Sequence, residues 1–164
     1  MPDTPVNPYP KIFAIDPGVN GGWAVLGHDG EFIDAGELPR FERSLNAVEL
    51  GTLLKVYQPG AVIIEKVGPM PKQGLSSTWI FGVSYGLCIG VAAGASVPVS
   101  MVSASRWKVH FHLIGKPKDA ARELAIRLYP LAAGFLTLKK HCGRADAMLM
   151  ARYALDLEMG RRFV

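Results

Sequence analysis

At 164 residues and 49% apolar content, the chain is long enough to bury an ordinary core as one domain and short for two. Its 12 prolines and 18 glycines are spread among periodic apolar segments, which excludes a long low-complexity tract. The net charge of +4 divides unevenly: residues 1–100 carry 6 Lys and Arg against 9 Asp and Glu, whereas residues 101–164 carry 12 against 5, so the last third is the part suited to a polyanion such as nucleic acid.

The first ten residues, MPDTPVNPYP, read as a loose tail, leaving 11–164 as a single domain. KIFAID (11–16) is a short apolar run ending in Asp16; after PGVNGG a second run, WAVLG, leads through the turn His28-Asp29-Gly30 to EFIDAGEL, and together these predict an antiparallel meander. Residues 43–57 place Leu45, Val48, Leu53, Leu54 and Tyr57 roughly on one helical face, and Pro59-Gly60 ends that helix. GAVIIEKV then reads as a strand buried on both faces, reached by a right-handed crossover, with Glu65 near its end.

From Gln73 to Ser105 no residue is charged. A membrane span is not expected, because Gly82, Gly86, Gly90 and Gly94 recur every four residues and the dense Leu/Ile content and aromatic belt of a spanning helix are missing. Small residues at that spacing line one side of a helix and admit another backbone, either the chain's own sheet or a second copy in a homodimer. VPVSMV (97–102) is a further strand, KPKDAARELAIRLYP (116–130) a helix stopped by Pro130, and 145–160 a last helix ended by Gly160. The order describes an α/β fold, a mixed central sheet with helices on its faces. Cys88 and Cys142 stand apart with no second pair, which argues against a disulfide framework or a cysteine zinc site, and the polar, proline-rich start does not read as a secretory leader; a reducing cytoplasm is the expected setting.

Three carboxylates stand out by position. Asp16 and Glu65 end buried apolar strands, and Asp146 opens a helix after a basic, glycine-containing segment. A carboxylate at the end of a buried strand is costly unless paired or metal-bound, and hard oxygen ligands converging on one sheet corner suit Mg²⁺ or Mn²⁺, two of which about 4 Å apart activate water and stabilise the leaving oxygen of a phosphodiester.

IDPGVNGGWAV, VIIEKV and GRADAMLMARYAL resemble, in order and spacing, the three acidic motifs of RuvC-type Holliday-junction resolvases in the RNase H-like superfamily, and SASRWKVHFHLIGKPKDAARELAIRLYP resembles the basic region before the last motif; the likeness spans roughly residues 11–155. It implies an RNase H-like sheet flanked by helices on both faces and a two-metal endonuclease that cuts four-way junction DNA as a homodimer. It further implies that Asp16, Glu65 and Asp146 bind two Mg²⁺ or Mn²⁺ ions, and that Lys108, Lys116 and Lys118 lie near the scissile phosphate, where an ammonium offsets developing charge. Lys66, Met70, Lys72, Gln73, Arg106, Lys139, Lys140 and Arg144 are the further DNA-contact candidates.

The chain departs from the family twice. The fourth metal-associated Asp or His, three or four residues before the last Asp, is replaced by Gly143 and Cys142, with His141 one step further back; a thiol is a poor Mg²⁺ ligand, so Cys142 and His141 are alternative fourth ligands. The aromatic that follows the second acidic motif gives way to Gly68, Pro69 and Met70, of which Met70 is a loose substitute. Two further alternatives come from other functional classes: a branched-DNA-binding protein of the same fold with an impaired metal site, or a related nuclease acting on other branched DNA. DPGVNGG also resembles the phosphate loop of actin-like and sugar-kinase ATPases, which are much longer and carry two such halves.

Overall fold

The computed structural model describes residues 11–69, 72 and 74–158. The expected tail at 1–10, Met70, Gln73 and the helix stop at Gly160 lie outside them. The strands are β1 (Ile12–Asp16), β2 (Gly22–Leu26), β3 (Phe32–Glu37), the short pair β4 (Arg40–Phe41) and β5 (Ser44–Leu45), β6 (Ala61–Lys66) and β7 (Val99–Ser103). The helices are α1 (Ala47–Tyr57), α2 (Leu75–Gly94), α3 (Ala104–His110), α4 (Ala120–Leu128) and α5 (Cys142–Glu158), with 3-10 turns at Pro130–Phe135 and Lys139–His141.

The five main strands form one mixed sheet in the order β3-β2-β1-β6-β7, antiparallel across the meander and parallel from β1 to β6 and β6 to β7. Strand side chains alternate between faces, and the core divides accordingly. Phe13, Ile15, Trp23, Val25, Val62 and Ile64 pack under α1 and α2. Ile12, Ala14, Ala24, Leu26 and Ile63 pack with Trp107, Leu124, Met148 and Leu149 under α3, α4 and α5. Helices thus cover both faces of the mixed sheet, as the order of elements in the sequence predicts.

Several boundaries differ from the sequence reading. The helix predicted from residue 43 starts at Ala47: the Asn46 side chain accepts the Glu49 N–H at 3.2 Å as an N-cap, and Leu45 is spent in the β4–β5 hairpin, its N–H bonded to Ser84 Oγ of α2 at 3.2 Å. Its buried face is Leu50 and Leu54, whereas Val48 is 81% exposed. The basic stretch before residue 112 forms a helix of its own, α3, and α4 begins four residues later than expected, leaving Lys116 and Lys118 on an exposed loop. The last helix begins at Cys142, so Asp146 sits one turn inside it instead of opening it.

The uncharged segment is α2, long and apolar enough to cross a membrane by length and composition, with mean hydropathy 1.4. Its Ser84, Cys88 and Ala92 are buried, Cys88 and Ala92 in the sheet core under α1 and α2. The glycines lie opposite that stripe: a Cβ added at Gly82, Gly86, Gly90 or Gly94 would meet nothing within 4 Å. Of the two uses open for the stripe, packing on the chain's own sheet is therefore excluded, because the glycines face away from it.

Candidate nuclease site

The parallel β1–β6 register sets Ile15 beside Ile64, so Asp16 and Glu65 end adjacent strands at the same edge. Asp16 shares parity with Ile12 and Ala14, Glu65 with Ile63, so both project to the α5 face. The third carboxylate is brought there by a glycine contact. Gly21 bridges to Gly143 at the start of α5, and a Cβ on Gly143 would stand 2.2 Å from the Asn20 carbonyl, one on Gly22 2.6 Å from the Arg144 nitrogen. With no side chain on either partner the helix end abuts the β1–β2 turn, and Asp146 follows one turn later. The same contact explains why position 143 holds no metal ligand: any side chain would collide with backbone.

Burial pushes all three carboxyls up. Asp146 is raised to about 7, first by loss of solvent and then by repulsion from Asp16 and Glu65, with Lys108 and Lys118 opposing. Asp16 is raised by burial against the pull of the Gly18 N–H, Lys108, Lys118 and Arg40. Glu65 is raised by burial and by Asp16, and lowered by a hydrogen bond from Trp107 and by Lys108. Three half-buried, mutually repelling oxygen donors are the condition that a divalent cation relieves, and the all-carboxylate set fits Mg²⁺ or Mn²⁺. Among the described residues, no group of three His, Cys, Asp or Glu stands close enough together, as placed, to hold a metal ion.

Of the lysines, Lys108 and Lys118 act on this cluster, whereas Lys116 is exposed on the same loop without a comparable influence. Lys66, Lys72, Arg106 and Lys139 are exposed and open to a polyanion. Lys140 and Arg144 are engaged with Glu37 at 3.3 and 3.2 Å, and Arg144 also donates to the Phe135 carbonyl at 2.9 Å, so Arg144 braces the fold. His141 does not join the carboxylates. It is buried, its Nδ1 accepts the Leu138 N–H at 3.2 Å, and the charges that act on it are Arg144, Lys140, Glu37 and Arg122. Cys142 precedes Asp146 by four residues in the same helix and so shares its side, at intermediate exposure.

Two contributors were not among the site residues expected from the sequence. Arg40, on the β4–β5 hairpin, donates from Nη2 to the carbonyls of Gly18 and Val19 at 2.7 and 2.5 Å and straps the loop after Asp16, whose own Oδ1 accepts the Gly18 N–H at 2.9 Å. Trp107 donates from Nε1 to Glu65 Oε1 at 3.0 Å. An open cleft of about 520 Å³ borders this loop, lined by Asn20, Gly21, Glu37, Arg40, Lys140 and Arg144; none of the three carboxylates lines it.

The structure superposes on that of Thermus thermophilus RuvC with a TM-score of 0.61 at 18% identity, over 93% of this chain and 98% of that one. It matches T. thermophilus RuvC in complex with a Holliday junction substrate at 0.58 and 18% identity, over 93% and 97%, and the yeast mitochondrial Holliday junction resolvase Ydc2 at 0.53 and 11%, over 96% and 84%. In sequence, 87 residues, 52% of the chain, are 37% identical to the chloroplastic Holliday junction resolvase MOC1 of Chlamydomonas reinhardtii; the match spans about 10% of that protein's length. No family model matches. The fold is that of RuvC, in agreement with the resemblance carried by the acidic motifs.

Proposed function

We propose that the protein is a metal-dependent endonuclease that resolves four-way DNA junctions. The observation that carries this reading is the convergence of Asp16, Glu65 and Asp146, from three separate elements, on one face of a RuvC-type sheet beside Lys108 and Lys118. These carboxylates would hold two Mg²⁺ or Mn²⁺ ions, which when bound supply the positive charge that activates water and stabilises the leaving oxygen. Lys108 and Lys118 hold the phosphate and offset charge on its oxygens, while Lys66, Lys72, Arg106 and Lys139 contact the backbone of the arms. A junction needs two symmetric cuts, and the outward glycine stripe of α2, flanked by exposed Leu75, Trp79 and Val83, offers the face on which a second copy packs. The two free thiols suit a reducing, cytoplasmic setting.

A second reading, a junction-binding protein with a weakened metal site, is favoured by one observation: Cys142 is the side chain that shares the helix side of Asp146, and sulfur disfavours Mg²⁺ more than Mn²⁺. One experiment separates the two. A four-way junction and a matched linear duplex are incubated with the protein and Mg²⁺ or Mn²⁺. Cleavage of the junction alone, lost in Asp16→Asn with binding retained and raised in Mg²⁺ by Cys142→Asp, supports the nuclease. Tight junction binding without cleavage in either metal supports the second reading, and equal cleavage of the duplex sinks junction specificity.

A further inference from the structure

Trp107 is completely buried, although its indole nitrogen is an obligate donor that must find an acceptor. The acceptor is Glu65 Oε1, 42 residues away in sequence, at 3.0 Å. The next residue, Lys108, folds its ammonium back over the same indole, 5.1 Å from the ring centroid. One rigid side chain thus touches an acidic member of the site with its edge and a basic member with its face. Its own position is fixed by the core shared with Leu124, Met148 and Leu149. The other Glu65 neighbours, Asp16 and Lys108, act on it only through charge. The Trp107 N–H is therefore what ties the Glu65 carboxylate to one orientation, and a carboxylate held by an outer hydrogen bond binds an ion without first losing its rotamer freedom.

On the reading that Asp16, Glu65 and Asp146 bind divalent metal, we propose that Trp107 is a positioning residue for the metal site, acting through its indole N–H on Glu65 and through its ring on Lys108. It touches neither metal nor DNA. Its contribution lies in metal affinity, with DNA affinity left to the exposed lysines and arginines.

The test uses the full chain and Mn²⁺ alone. Mn²⁺ binding is followed by electron paramagnetic resonance, and melting is recorded with and without the ion for the parent, Asp16→Asn, Trp107→Phe, and a variant carrying 3-benzothienylalanine at 107, which keeps the bicyclic shape and removes only the N–H. The expected result is Mn²⁺ affinity lowered about 10-fold in both position-107 variants. Metal-free melting of the benzothienyl protein stays close to the parent and junction binding in EDTA is unchanged, so that the loss is confined to Mn²⁺ affinity, which a purely structural role for the ring would leave at the parental value. A benzothienyl protein that binds Mn²⁺ within twofold of the parent overturns the role of Trp107 and leaves the metal site standing. A parent that binds no Mn²⁺ beyond that retained by Asp16→Asn removes the metal-site reading and, with it, this inference.

Discussion

Two glycine contacts in this molecule look alike in the sequence and do opposite things. At the start of α5, Gly143 meets the β1–β2 turn so closely that a Cβ on Gly143 would fall 2.2 Å from the Asn20 carbonyl and one on Gly22 2.6 Å from the Arg144 nitrogen, while one on Gly21 would fall 2.1 Å from the Asp16 carbonyl of its own loop. Along α2, Gly82, Gly86, Gly90 and Gly94 are regularly spaced and entirely open. The regular stripe is the conspicuous one, yet it touches nothing in its own chain, while the irregular trio seals the corner that assembles the carboxylates. Glycine spacing reports a side without a Cβ; what approaches that side is decided by tertiary packing.

The largest expected effect comes from breaking the sealed corner. Gly143→Ala drives a methyl into the Asn20 carbonyl at 2.2 Å, and because the obstacle is backbone on both sides, α5 must move away from the β1–β2 turn. Overpacking of this kind costs about 1–3 kcal/mol or somewhat more. The melting temperature should fall by roughly 2–12 °C. Junction cleavage should fall further than stability alone predicts, because Asp146 rides on the displaced helix. A variant that melts and cuts like the parent would show that the corner is loose and the glycine contact incidental.

The second effect has the opposite sign and measures what the sealed corner costs. The Asp146 carboxyl stands at about 7 against an ordinary 3.8. A raised carboxyl leaves stability intact at low pH, where it is protonated in both states, and removes it as pH rises from the ordinary value through the folded one, after which the loss is constant. Asp146→Asn should therefore stabilise the metal-free protein at pH 8, by up to about 4 kcal/mol, and make little difference at pH 4. Mg²⁺ or Mn²⁺ should raise the melting temperature of the parent and leave the variant almost unmoved. Equal metal stabilisation of the two would take Asp146 out of the site.

Asp16 and Glu65 were legible because a charge at the end of an apolar strand violates the pattern around it, and a violated pattern is visible in one dimension; Asp146, inside a helix, stood out only through the basic, glycine-containing segment before it and the resemblance. Lys108 and Lys118 were legible through the resemblance, and only their influence on the cluster separates them from Lys116. Trp107 lies in the segment that carries the resemblance, but its role was not legible, since its partner lies 42 residues upstream. Arg40 was not, because it falls between the third strand, read to Leu38, and the helix, read from residue 43, and a two-residue strand carries no periodicity to reveal it. Leu45 and Val48 misled for a related reason: apolar spacing continued past Asn46, whereas the cap and the bond from the Leu45 N–H to Ser84 ended the helix there. Cys142 and Gly143 read as missing ligands; for Gly143 the structure substitutes a packing reason.

The smallest effect tests the open side of the comparison. Glycine in an exposed helix interior costs about 1 kcal/mol relative to alanine, so Gly86→Ala on a face that meets nothing within 4 Å should stabilise α2 by up to about that amount. If a second copy packs on the stripe, the added methyl also obstructs the close approach that glycine permits. The two consequences separate by concentration. In dilute protein, where copies are apart, the variant should melt a few degrees above the parent. At high concentration the parent gains from association and the variant gains less, so the advantage shrinks or reverses. Light scattering should show the same crossover as a lower dimer fraction for Gly86→Ala, and a lower one still for Gly86→Leu. A stabilisation that holds at every concentration, with a monomer throughout, would leave the stripe as solvent-facing helix and move the symmetry of the two cuts to some other surface.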